Sequence, residues 1–206
     1  MSHAHTLPSD TLAPWAEIVP GAGYMSVDDL ANLADDGWKY ELVDGVLVRM
    51  PLSSYGASNI AARLLSRLNV FVEDHGLGGV TGEAGGYRLD PARPRETELA
   101  PDVAFVRADR IPPRTSPEYF KALQLAPDLA IEVASDNQYR PGMAEKARRY
   151  LHFGTHLVWI IWPRYQQVDV WRPGDVAPSA TLGIEDTLDG EDIVPGFSYP
   201  VTTLFA

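Results

Sequence analysis

Apolar and polar residues recur along this chain with two periods, and together they predict short strands mixed with amphipathic helices. From Ser58 to Val72, Ile60, Ala61, Leu64, Leu65, Leu68 and Phe71 return at three- and four-residue steps between Arg63 and Arg67, which predicts a helix with one apolar face. Gly142 to Phe153 reads as a second amphipathic helix, and Ser26-Val-Asp-Asp29 as the capped start of a third that Gly37 ends. Tyr40–Val43 and Val46–Met50 flank Asp44-Gly45, a dipeptide suited to a two-residue hairpin turn. Further strands are expected at Val80–Leu89 and Leu99–Val106, on either side of a charged loop. Others follow at Asp128–Ala134, His156–Trp162 and Gln167–Trp171. Pro112, Pro113 and Pro117 precede a short helical piece at Glu118–Leu123, and the turn-rich tail, Asp186 to Ala206, is expected on an edge.

This order of elements predicts an α/β or α+β fold with a mixed sheet, parallel where the helix Gly142–Phe153 links two strands. Residues 1–25, broken by Pro8, Pro14, Pro20, Gly21 and Gly23, read as an N-terminal arm, and residues 26–206 as a single domain. The length of 206 residues agrees with one domain. His3 and His5, two apart on the arm, do not make a convincing metal site. The chain contains no cysteine, which excludes disulfides, zinc-thiolate sites, iron–sulfur clusters and thiol nucleophiles. The N-terminus lacks the features of a secretory signal, so the expected location is cytoplasmic. The longest apolar stretch, Leu157 to Trp162, is far short of the roughly 20 residues of a membrane-spanning helix.

Candidate chemistry lies in acids placed within apolar strands. Alternation puts Leu129, Ile131 and Val133 on one face and Ala130, Glu132 and Ala134 on the other, so Glu132 stands between two alanines. Likewise Asp102 shares a face with Ala104, opposite Val103 and Phe105. Small neighbours leave a concavity through which water, metal or substrate reaches the carboxylate. The ordinary alternative for each acid is an arginine pair or a solvated sheet face. With Glu41 in the hairpin, however, three acids are available to converge, and a cation would relieve their repulsion. Oxygen ligands suit magnesium or manganese, and phosphodiester hydrolysis is the chemistry that follows. Lys146, on the helix after the Glu132 strand, is the candidate positive donor, with Arg149 or Tyr150 sharing its face.

The ordered set Tyr40-Glu-Leu-Val-Asp-Gly45, Ala100-Pro-Asp-Val-Ala-Phe-Val106, Pro127-Asp-Leu-Ala-Ile-Glu-Val-Ala-Ser135 and Glu145-Lys146 leading to Tyr150 and Gly154 resembles the Uma-two family of restriction-endonuclease domains. That family belongs to the PD-(D/E)XK nuclease superfamily. The resemblance implies a restriction-endonuclease-like core, a central mixed β-sheet flanked by helices, acting on DNA with magnesium or manganese. It further implies Asp102 and Glu132 as metal-binding acids, Glu41 as an additional acid nearby, Lys146 as the catalytic lysine, and a homodimer. The superfamily pattern places the lysine two residues after the acid, where this chain has Ala134, so the lysine comes from the helix. Two departures stand out: Leu157-Val158-Trp159 where many members read Glu-Tyr-Trp, and no histidine near Ala57 or Ser58.

Net charge tempers this expectation. Seventeen Lys and Arg against 28 Asp and Glu give −11, which opposes DNA unless basic residues cluster. Candidate clusters are Arg107, Arg110 and Arg114, or Arg140, Lys146, Arg148 and Arg149. The alternative is a non-catalytic dimeric module on the same fold that binds nucleic acid or protein. A third reading, a glycoside hydrolase with Glu132 and Asp102 as paired carboxylates, requires Trp159, Trp162 and Trp171 as exposed sugar platforms.

Overall fold

A computed structural model describes residues 12–206 apart from Arg93 and Asn137; His3 and His5 lie outside the described residues. The chain runs β1 (Glu17–Ile18), α1 (Val27–Ala31), β2 (Trp38–Val43), β3 (Val46–Pro51), α2 (Tyr55–Asp74), β4 (Gly78–Gly82), β5 (Tyr87–Arg88), β6 (Glu98–Leu99) and β7 (Val103–Arg107). It continues with β8 (Leu129–Val133), α3 (Arg140–His152), β9 (Leu157–Trp162), β10 (Gln167–Trp171), β11 (Ala180–Leu182), β12 (Thr187–Asp189), β13 (Ser198–Pro200) and α4 (Val201–Phe205). A six-stranded sheet in the order β11-β10-β9-β8-β7-β4 forms the centre. It is mixed: β8 and β9 are parallel, joined through α3, and its other pairings are antiparallel. A second, antiparallel sheet has the order β1-β3-β2-β6-β5. The fold is therefore the mixed α+β architecture expected from the sequence.

Alternation along the central strands separates two cores. Val103, Phe105, Leu129, Ile131, Val133, Trp159 and Ile161 point to the face that α2 covers with Ile60, Leu64, Leu68 and Val72. Ala104, Ala130, Ala134, Val158 and Ile160 point to the opposite face, against Met143, Ala147 and Tyr150 of α3 and Val43, Val48 and Met50 of the hairpin. Each fully buried leucine or isoleucine of α2 contributes about 1.5–3 kcal/mol through removal of its side chain from water. The hairpin turn has positive φ at both Asp44 (49°) and Gly45 (76°), the geometry that matches strand twist in a two-residue loop.

Five expectations change. The helix begun at Ser26 has a full capping box with Asp29 but ends at Ala31, well before Gly37. The strand expected over Val80–Leu89 is two strands, parted where the Gly85 N–H closes a turn onto the Gly82 carbonyl at 2.9 Å. The strand expected over Leu99–Val106 is also two, and they belong to different sheets, because Pro101 has no N–H with which to continue a ladder. The helical piece near Glu118 is a single 3-10 turn, Pro117–Phe120. The tail is no edge decoration: Leu188, Val194, Phe197, Tyr199, Val201 and Leu204 are buried in the α2-side core. Among the described residues no helix is long and apolar enough to cross a membrane.

Candidate active site

The break between β6 and β7 is where the site forms. Ala100 leaves the smaller sheet by donating its N–H to Glu41 Oε1 at 3.1 Å, and two residues later Asp102 stands at the head of β7. Asp102 Oδ2 accepts the Val133 backbone N–H at 2.7 Å, and its Oδ1 lies 3.4 Å from Lys39 Nζ. Glu132 projects from the middle of β8 on the alanine-lined face, as alternation predicts, and is 4% exposed.

Lys146 reaches these acids from α3. Its ammonium, 1% exposed, lies 3.0 Å from Glu41 Oε1 and 2.9 Å from Glu132 Oε1. Tyr150, one turn further on, donates its hydroxyl to the same Glu132 oxygen at 2.9 Å. The 3.6-residue period thus delivers a cation and a neutral donor to one carboxylate, while Arg149 turns away to Asp44 at 2.8 Å.

Burial pushes the Glu132 carboxyl up to about 7, with Lys146 opposing and the nearby Asp102 charge reinforcing the rise. Burial alone would lower the Lys146 pKa, but Glu132 and Glu41 outweigh it and hold the ammonium above its ordinary value. Burial also raises the Tyr150 phenol, so it serves Glu132 as a neutral donor. A cavity of about 110 Å³ opens onto this cluster, lined among others by Asp102, Glu132, Lys146, Lys39, Trp15 and Gln138.

Among the described residues no group of three His, Asp or Glu side chains is gathered as a ready metal cage. Two carboxylates at a small cavity nevertheless fit a hard divalent ion, which takes one or two carboxylates and completes its sphere with water and phosphate. Asp102 raises the proton affinity of Glu132, and a cation between them would reverse that effect. Glu41 is spoken for: Oε1 accepts from Ala100 and Lys146, and Oε2 accepts the Trp15 indole N–H at 3.1 Å.

Lys39, Trp15 and Gln138 were not among the sequence candidates. Lys39 was detectable, since period-2 alternation puts it on the face of Glu41, two residues later. Five of the six arginines in the proposed basic clusters are paired with acids, and Arg114 is exposed. Arg107 and Arg110 flank the buried Asp128, Arg140 pairs with Asp169 at 2.7 Å, Arg148 with Glu145 at 2.9 Å, and Arg149 with Asp44. Trp159, Trp162 and Trp171 are buried and cannot serve as sugar platforms, which removes the glycoside hydrolase reading. His152 rests edge-on against Phe153 and His156 lies 3.6 Å from Asp128, so the two do not share a metal geometry.

Fold and site together define a mixed α+β protein with a buried acid–lysine cluster where two sheets part. The chain belongs to the Uma2 family, described as "Putative restriction endonuclease", which matches residues 27–202. Its fold is similar to that in a crystal structure of "a putative nuclease belonging to DUF820" from Anabaena variabilis. That likeness has a TM-score of 0.71 at 20% identity and covers 88% of this chain and 97% of the other. No curated protein matches the chain.

Proposed function

We propose that this protein is a metal-dependent endonuclease that hydrolyses DNA phosphodiester bonds. The observation that carries the reading is the convergence of Asp102, Glu132 and Lys146, from the successive elements β7, β8 and α3, on one small cavity. Asp102 and Glu132 are the residues that would hold magnesium or manganese, whose chemistry when bound is to acidify a water and neutralise phosphoryl oxygens. Lys146, kept protonated by its two acid partners, supplies positive charge for the attacking water or for the charge that develops on phosphate. Glu41 acts behind it, as the anchor that aims the ammonium. Tyr150 steadies Glu132, and Lys39 offers a second cation on the cavity wall.

The homodimer implied by the family resemblance belongs to this proposal, as does a cytoplasmic location. The net charge of −11 and the pairing of most candidate arginines with acids favour a second reading, a non-catalytic module that binds nucleic acid or protein through the same fold. Incubation of supercoiled plasmid and single-stranded DNA with magnesium, manganese or EDTA decides between them. Cleavage that needs metal and disappears in Asp102→Ala supports the nuclease. Intact DNA under every metal condition moves the assignment to the binding module.

A further inference from the structure

The site is completed by residues that precede the matched family region, which begins at residue 27. Trp15 is 5% exposed, walls the acid cavity, donates its indole N–H to Glu41 Oε2 at 3.1 Å, and places its ring centre 6.0 Å from Lys146 Nζ. The segment around it is fastened at several points. Gln138 donates its side-chain amide to the Trp15 carbonyl at 3.4 Å, and Arg149 reaches the Leu12 carbonyl at 3.5 Å. Gly142 on α3 approaches so closely that an added Cβ would sit 2.7 Å from the Pro14 carbonyl oxygen. Just beyond, Ile18 pairs with Val48 on β3.

A buried carboxylate is stable only when its oxygens find donors. Oε1 of Glu41 accepts from Ala100 and Lys146; Oε2 accepts from Trp15. Without the indole N–H, Oε2 loses this donor, and the carboxylate gains by rotating to share the Lys146 ammonium between both oxygens. That rotation draws Nζ toward Glu41 and away from Glu132 and the cavity.

We propose that Trp15 is a positioning residue of the active site, which fixes the direction of Glu41 and through it the place of Lys146. Its consequence for turnover rests on the nuclease reading; the indole–carboxylate contact and its effect on Lys146 do not. The test uses the full-length protein. Trp15→Phe keeps an aromatic wall but removes the donor, and the indole N–H resonance missing from its spectrum assigns Trp15 among the five tryptophans. Glu41→Gln should shift that resonance and speed its hydrogen exchange, leaving the other four in place. Trp15→Phe should in turn move the NMR signals of the Lys146 side chain, and lower kcat by about 10- to 100-fold at unchanged KM, as loss of a supporting hydrogen bond does.

An unmoved Trp15 resonance in Glu41→Gln, an unmoved Lys146 signal in Trp15→Phe, or an unchanged kcat in an active enzyme would each overturn the proposal. A wild type that cleaves nothing defeats the nuclease reading instead, and the two NMR measurements still decide the role of Trp15. If Trp15→Phe does not fold, the tryptophan signals of wild type and Glu41→Gln carry the decision: one indole resonance shifted by Glu41→Gln supports the proposal, and none overturns it.

Discussion

Asp102 accepts the backbone N–H of Val133 at 2.7 Å, which ties one acid of the cavity to the residue that follows the other. The contact assigns Asp102 a structural duty beside its proposed chemical one, and substitution separates the two. Asp102→Asn retains an acceptor for Val133 and should keep stability to within about 1 kcal/mol while losing metal-dependent cleavage. Asp102→Ala should lose cleavage and a further 1–3 kcal/mol or so, since a buried N–H is left unpaired. Urea unfolding of both variants, alongside the plasmid assay, checks this.

Lys146 is the counter-charge for two buried acids, so its removal should be costly whatever the activity. Lys146→Met, similar in volume, leaves Glu41 and Glu132 without their cation and should destabilise the fold by about 3–5 kcal/mol. Pairing it with Glu41→Gln should recover part of that loss. The midpoints of chemical denaturation report both effects.

Stability of the metal-free protein should depend on pH through Glu132. Its carboxyl binds a proton more tightly in the folded chain, near 7, than at the ordinary carboxylate value of 4.5. The stability this confers is full below about pH 4.5 and is lost as pH climbs through about 7. Unfolding free energies measured from pH 5 to 8 should therefore fall by a component, at most about 3 kcal/mol, that is missing in Glu132→Gln. If Glu132 holds magnesium as proposed, saturating magnesium should flatten the same curve, because the ion would favour the ionised acid.

The C-terminal tail should behave as core. Phe197→Ala removes a buried ring that stacks near Trp159 and Tyr199 and should cost about 3–5 kcal/mol. Removal of residues 187–206 should leave the α2-side core open and the domain unfolded, as circular dichroism and thermal melting will report.

Strong local signals were legible before the structure. The hairpin around Asp44-Gly45, the helix α2, and strands β8, β9 and β10 follow from turn chemistry and side-chain period, which act over a few residues. The face assignment of Glu132 and Asp102 follows from the same period. What stayed hidden depends on distant partners. The switch of the chain between sheets at Pro101 reads locally as one strand, and the burial of Tyr199 and Leu204 is decided by α2, far earlier in the chain. The ion pairs of Arg110 with Asp128 and of Arg140 with Asp169 likewise leave no trace in spacing. Trp15 was hidden for a different reason: the arm that carries it has no periodicity at all, and only its contacts reveal its place.

The 105-residue separation between Glu41 and Lys146 bears on how the protein is born. Contacts of such sequence separation are bought with loop-closure entropy and form late, and a topology rich in them folds on the millisecond-to-second scale. A nascent chain released by the ribosome as far as β8 already carries Glu41, Asp102 and Glu132, but it lacks α3 and with it the cation that draws two of them together. The cluster therefore cannot assemble until more than two-thirds of the polypeptide has been synthesised, and truncated translation products that end before Lys146 lack the cation that joins Glu41 to Glu132.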